Sequence, residues 1–235
     1  MDYLSNTIDK RCLNSFAKNY QSQFGEDGII EEIFKRLGIT KGWTVEFGAM
    51  DGGRLSNTYH LIEQNDRFRG VFIEGDSVWF DELNHICSRY PKRMIPVCKY
   101  VQPTGVDSLQ YILSDIVIPK EFELLSIDVD GMDYQIWAGF KDYSPKVVII
   151  EINSSFLPDV YYINGFGGTS GTSFRSMLEL GKSKGYTLVC HTGNMFFVRN
   201  DLVEKLGMDR ELLDNPSMMF NDFWIQNSVI CMVKQ

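Results

Sequence analysis

Thr44-Val45-Glu46-Phe47-Gly48-Ala49-Met50-Asp51-Gly52-Gly53 decides how this chain is read. Val45 and Phe47 make a short apolar strand with one acid, Glu46, set inside it. Gly48, Gly52 and Gly53 follow at once, and glycine permits positive φ and a close approach of backbone to ligand. In open α/β sheets, ligands sit beyond the carboxyl ends of the strands, where strand order reverses. A carboxylate at such a tip suits a ligand that carries both charge and hydroxyls. The stretch is not Gly-x-Gly-x-x-Gly, the fingerprint of nicotinamide and flavin dinucleotides.

Outward from this turn, helix and strand patterns alternate. Ile29, Ile30, Ile33, Phe34 and Leu37 recur at helical spacing, and Gly38 follows as a stop. Further helices are predicted from Ser56 to Asn65, Val78 to Arg89, Val106 to Leu113, Tyr134 to Phe140, Ser173 to Ser183 and Asp201 to Leu206. Strands are predicted from Trp43 to Phe47, Gly70 to Glu74, Met94 to Tyr100, Leu124 to Val129 and Lys146 to Ile152. Tyr186 to His191 and Met195 to Arg199 flank Thr192-Gly193-Asn194, a spacing that predicts an antiparallel hairpin. One more strand is predicted near Val229 to Val233. Alternation of this kind predicts an α/β fold: a Rossmann-like, seven-stranded, mostly parallel sheet closed by an antiparallel C-terminal hairpin. It is read as one domain over residues 1–235, with an N-terminal helical extension over about residues 1–40.

The net charge of −8 and pI near 4.9 argue against nucleic acid as the main partner. Arg67, Arg69, Arg89, Lys92 and Arg93 read as a solvated face. Cys12, Cys87, Cys98, Cys190 and Cys231 are widely spaced and form no Cys-x-x-Cys pair. Reduced structural thiols fit them better than zinc or disulfides. No apolar run approaches the roughly 20 residues of a membrane helix. With no secretory signal at Met1 to Ser5, the expectation is a cytoplasmic chain with no membrane span.

Glu74 ends the second strand, where one carboxylate can take both hydroxyls of a ribose. Asp76 suits a helix cap. In Leu125-Ser126-Ile127-Asp128-Val129-Asp130-Gly131-Met132-Asp133, three carboxylates crowd the end of the fourth strand. If the strand continues, Asp128 and Asp130 point the same way, as do Glu151 and Asn153 after the fifth. Asp128, Glu151 and Asn153 are a candidate oxygen-ligand set for Mg²⁺, Mn²⁺ or Ca²⁺, able to orient a substrate hydroxyl. Direct binding of substrate or backbone by Glu151 and Asn153, without metal, is almost equally open. The loop from Tyr161 to Ser173 is a candidate lid, with Thr172 or Ser173 capping the next helix. Tyr20 to Gly28 reads as a helix start whose side chains could close over a cofactor. His191 is a candidate base, although a structural role is the commoner use of such a histidine.

These residues together resemble the FkbM-type S-adenosylmethionine (SAM)-dependent methyltransferases. The resemblance rests on Ser22-Gln23-Phe24-Gly25-Glu26-Asp27, Val45-Glu46-Phe47-Gly48-Ala49, Ile73-Glu74, Leu125 to Gly131 and Val148-Ile149-Ile150-Glu151, and spans about Gln21 to Arg199. It implies the class I methyltransferase fold, which has the closing hairpin. It implies SAM contacts at Gln23, Glu46, Gly48, Ala49, Asp51, Gly52, Ser56, Asn57, Glu74, Gly75, Asp76, Val101 and Asp128, with Tyr100 and Val101 flanking adenine and Asp107 starting the next helix. Asp128 would lie at the transfer site. More distant metal-dependent O-methyltransferases place Mg²⁺ beside strands four and five, which maps onto Asp128, Glu151 and Asn153. Here Glu-x-Asn replaces their adjacent Asp-Asn pair.

The expectation is therefore a SAM-dependent O-methyltransferase acting on a hydroxyl of a sugar, a polysaccharide precursor or a related small polar acceptor. Asp128, Asp130, a bound cation or His191 would take the proton. The alternatives are an NAD-dependent oxidoreductase and a non-catalytic nucleotide-binding scaffold of the same fold. A homo-oligomer is left open.

Overall fold

The structure, a computed structural model, describes residues 12–165, 168 and 171–222. Seven strands form one sheet: β1 (Gly42–Phe47), β2 (Phe68–Glu74), β3 (Met94–Cys98), β4 (Leu124–Ile127), β5 (Val147–Glu151), β6 (Tyr186–His191) and β7 (Asn194–Arg199). Their order is β3-β2-β1-β4-β5-β7-β6. The first five run parallel, while β7 is antiparallel to both β5 and β6. Strand order reverses at β1, which lies between β2 and β4.

Alternate residues along each strand feed two cores. Val45, Phe47, Val71, Ile73, Leu125, Ile127, Val148 and Ile150 face α4 (Leu109–Ser114), α5 (Asp133–Gly139) and α6 (Phe174–Ser183). Phe72, Leu124, Val147, Ile149, Phe196 and Val198 face α1 (Glu26–Leu37), α2 (Tyr59–Gln64) and α3 (Ser77–Ser88). Helices on both faces explain the near-continuous apolar runs of the central strands. A 3₁₀ turn, Asn200–Leu206, and α7 (Arg210–Asp214) complete the described chain, with short 3₁₀ turns at Leu13–Phe16 and Pro216–Met219.

Several boundaries move. β3 stops at Cys98 and β4 at Ile127, short of Tyr100 and Val129, because their ladders to β2 and β1 end there. The helix expected from Ser56 starts at Tyr59, since Ser56, Asn57 and Thr58 hydrogen-bond to Glu46 instead. The helix expected from Val106 starts at Leu109 behind Ser108, and Asp107 pairs with Lys99 at 2.7 Å. The strand expected near Val229 to Val233, and the first part of the N-terminal extension, lie outside the described residues. Between the Leu13–Phe16 turn and α1, the described extension is irregular.

Candidate active site

The glycine turn after β1 folds around Glu46. One carboxylate oxygen accepts from Ser56 Oγ at 2.5 Å and Thr58 Oγ1 at 2.6 Å, and the other from Asn57 N–H at 2.8 Å. Burial pushes the Glu46 carboxyl up, against the pull of these donors. Glu46 thus organises the 51–58 loop, and a carboxylate with three donors keeps about one acceptor position in reserve. Asn57 Nδ2 reaches Ser126 Oγ at 3.0 Å, tying the same loop to β4. Gly48 has φ +72°, and a Cβ there would collide with the Asp128 carbonyl oxygen. Asp51 is spent on its own turn, accepting from Gly53 and Arg54 N–H.

Glu74 sits at the end of β2, 8% exposed. Its two oxygens accept one backbone N–H each, from Met50 and Asp76, both at 2.8 Å. Each oxygen has a second lone pair left. Asp76 caps α3, accepting from Val78 and Trp79 N–H. Gly75 is bare backbone covered by the ring of Tyr100, which would collide with any Cβ there. Tyr100 is otherwise exposed, and Val101 beside it is buried.

Oxygens of Asp128, Asp130 and Glu151 lie within 4.8 Å of one another. The expected alternation along an extended strand does not bring the two aspartates together. The chain leaves the strand at Ile127, and Asp130 turns back with φ +51°. Asp133 braces that turn, accepting from Val129 N–H at 2.9 Å and Gly131 N–H at 3.0 Å. Asp128 and Glu151 therefore stand side by side at the ends of β4 and β5. Burial first, and then the neighbouring carboxylates, push both carboxyls up.

A small cavity of about 20 Å³, room for about one water, is lined by Gln23, Phe24, Glu26, Leu55, Asn57, Asp128, Glu151 and Asn194. Glu26 is fully buried and accepts from Phe24 N–H, Thr192 Oγ1 and Asn194 Nδ2, while burial pushes its carboxyl up. In the sequence Glu26 reads as an ordinary first-turn acid, and Leu55 and Asn194 carry no motif. The acid directly after Phe24-Gly25 was the available signal.

Of the two roles open to His191, the structural one is what the fold shows. His191 is fully buried, packed against Phe174 and Phe220, with Nδ1 accepting from Asn221 N–H. Burial holds its pKa down to about 3, so it is a neutral core side chain and cannot meet an acceptor hydroxyl. Asn153 Oδ1 accepts from Ser155 N–H at 2.9 Å, and the Asp130 carboxylate lies beside Asp128 and Glu151. The Tyr161 to Ser173 loop is anchored to the acidic turn by Asn164 Nδ2, which donates to the Gly131 carbonyl at 2.9 Å. Ser173 caps α6, accepting from Ser176 N–H.

No family model matches the chain, and no curated protein matches it. Solved structures share the architecture. A Staphylococcus aureus protein described as a caffeoyl-CoA O-methyltransferase aligns with TM-score 0.50 and 13% identity over 72% of this chain and 79% of its own. A Pyrococcus horikoshii protein described as an RNA methyltransferase aligns with TM-score 0.47 and 10% identity over 82% and 99%. The seven-stranded order closed by an antiparallel hairpin is the class I methyltransferase fold.

Proposed function

We propose that this chain is a SAM-dependent O-methyltransferase of the FkbM type, acting on a hydroxyl of a sugar, a polysaccharide precursor or a related small polar acceptor. The observation that carries the reading is the Asp128–Glu151 pair at the strand ends, with Asp128 one strand from the glycine turn and two from Glu74, and Glu151 one strand further out. Bound SAM supplies an electrophilic methyl group. The free lone pairs of Glu74 suit ribose hydroxyls, and the Gly75–Tyr100 shelf suits a flat base. Val101 lines that side. Gly48, Ala49 and Gly52 offer backbone to the methionine end, ordered by Glu46 through Ser56 and Asn57. Gln23 closes the small cavity from the N-terminal side. A buried carboxyl raised above its ordinary range is matched to accepting a proton from a hydroxyl, and Asp128, on the strand next to the glycine turn, is the base of this reading, with Asp130 beside it. Alignment of acceptor and methyl supplies much of the rate. The net charge of −8 favours a small neutral acceptor over nucleic acid.

Three carboxylates this close also fit a hard divalent cation. Such an ion would be held by Asp128, Asp130 and Glu151, and would offset the repulsion among them. MgCl₂ should then raise the melting temperature at about pH 8, and Asp130→Asn should abolish the rise. No rise removes the cation from the reading.

Calorimetric titration with SAM, S-adenosylhomocysteine and NAD tests the donor. Both sulfur ligands should bind and NAD should not; the reverse makes the chain an oxidoreductase. Asp128→Asn should lose methyl transfer to saccharide acceptors by about 100-fold or more, a larger loss than any in S-adenosylhomocysteine binding. Binding of SAM without transfer to any acceptor would favour a scaffold.

A further inference from the structure

A second concavity lies away from the carboxylates. A cleft of about 510 Å³ opens between α4 and the turn after α5, lined by Pro103, Thr104, Gln110, Tyr111, Lys141 and Asp142 among others. That volume is within the range of small-molecule sites, and the cleft shares no lining residue with the carboxylate cavity. Its walls are fixed. Gly139 admits the Pro103 carbonyl where a Cβ would collide, and Gln110 Oε1 accepts from Lys141 N–H at 3.2 Å. Ser108 and Ser114 spend their hydroxyls on the carbonyls of Gly105 and Tyr111.

What remains open converges on the cleft. The Tyr111 side chain is 52% exposed. Its hydroxyl, the Lys141 ammonium, the Asp142 carboxylate and the Thr104 hydroxyl make no hydrogen bond or ion pair among the described residues. The lining carries one cation and one anion, Lys141 and Asp142, and so no excess of positive charge for a phosphate or carboxylate ligand. Its polar rim is equally wrong for a lipid chain. An aromatic face next to donors and acceptors of both kinds matches a ligand with C–H faces and a rim of hydroxyls.

We propose that this cleft binds a neutral oligosaccharide, with the Tyr111 ring under one pyranose face and Lys141, Asp142 and Thr104 on its hydroxyls. The site does not depend on the transfer chemistry, so binding can be read with no methyl donor present. The test is an amide NMR titration of the full chain with maltotriose, cellotriose and chitotriose, and with hexauridylate as a nucleic-acid control. At least one saccharide should shift the amides of Gly105, Tyr111, Gly139 and Lys141. Tyr111→Ala should weaken that binding about tenfold, and Tyr111→Phe less, because the ring stays. Alanine is a strong helix former and Tyr111 is half exposed, so the variant should fold. The proposal is overturned if none of the three saccharides shifts these amides, or if the shifts centre on Asp128 and Glu151. Binding that Tyr111→Ala leaves unchanged, or hexauridylate binding in place of saccharide, overturns it equally.

Discussion

Burial and the neighbouring carboxylates raise Asp128 and Glu151 together, well above the ordinary carboxylate range. Between the ordinary and the raised values the folded chain binds more protons than the unfolded chain. Stability from this pair is therefore fullest at low pH and is lost as pH rises through the raised values. Asp128→Asn removes one of the repelling charges. Between about pH 6 and pH 9, its melting temperature should fall less than the wild type's by about 4–8 °C, the shift expected for ~2 kcal/mol in a chain of this length. Parallel pH profiles for the two proteins would show that the pair does not repel. Glu46 poses the opposite problem, a carboxylate whose buried oxygens are nearly filled by donors. Glu46→Gln presents an NH₂ to at least one of them, so a loss of about 2 kcal/mol is expected. A lower urea midpoint at unchanged slope measures it.

At the scale of elements, β1 and β4 meet their loops through one glycine. Gly48 combines a left-handed φ with contact on the Asp128 carbonyl, and the Asp128 N–H in turn reaches the Phe47 carbonyl at 3.4 Å. Gly48→Ala should push the two strand ends apart, with a loss of more than about 2 kcal/mol. Gly38→Ala is the control, because Gly38 has a similar φ of +69° and nothing within 4 Å of its Cβ position. It should lose only about 1 kcal/mol, the strain of a left-handed residue alone. Equal losses in thermal melts would mean that the close approach at Gly48 does not matter. β6 was legible to the residue because its pattern ends at the hairpin on one side and Gly185 on the other. β3 and β4 were read too long because Lys99-Tyr100 and Asp128-Val129 look like strand. Only the missing partners on β2 and β1 end them. The Asp76 and Ser173 caps were legible because a cap is a local interaction.

Across the whole molecule, the N-terminal segment is fastened to the far end of the sheet. Glu26 accepts from Thr192, 166 residues away, and Asn14 Nδ2 donates to the His191 carbonyl, 177 away. Contacts of that span leave no periodic trace in a sequence, so Glu26 read as a helix-start acid. His191 stayed open between a base and a structural role for the same reason, because Phe174 and Phe220 bury it from elsewhere in the chain. The glycine turn, Glu74 and the Asp128 run were legible because each is a short motif at a strand tip. The proposed donor would touch three of these tips, after β1, β2 and β4, and all three strands belong to one sheet. Its binding energy should therefore appear in the unfolding of the whole sheet and not in one loop. S-adenosylhomocysteine at about 100 times its Kd should stabilise the fold by ~2.7 kcal/mol, raising the melting temperature by about 5–10 °C in a single transition. NAD at the same concentration should leave the transition where it is. A shift confined to a minor early transition would place the ligand on a loop that melts independently, and would contradict a pocket built from the strand ends.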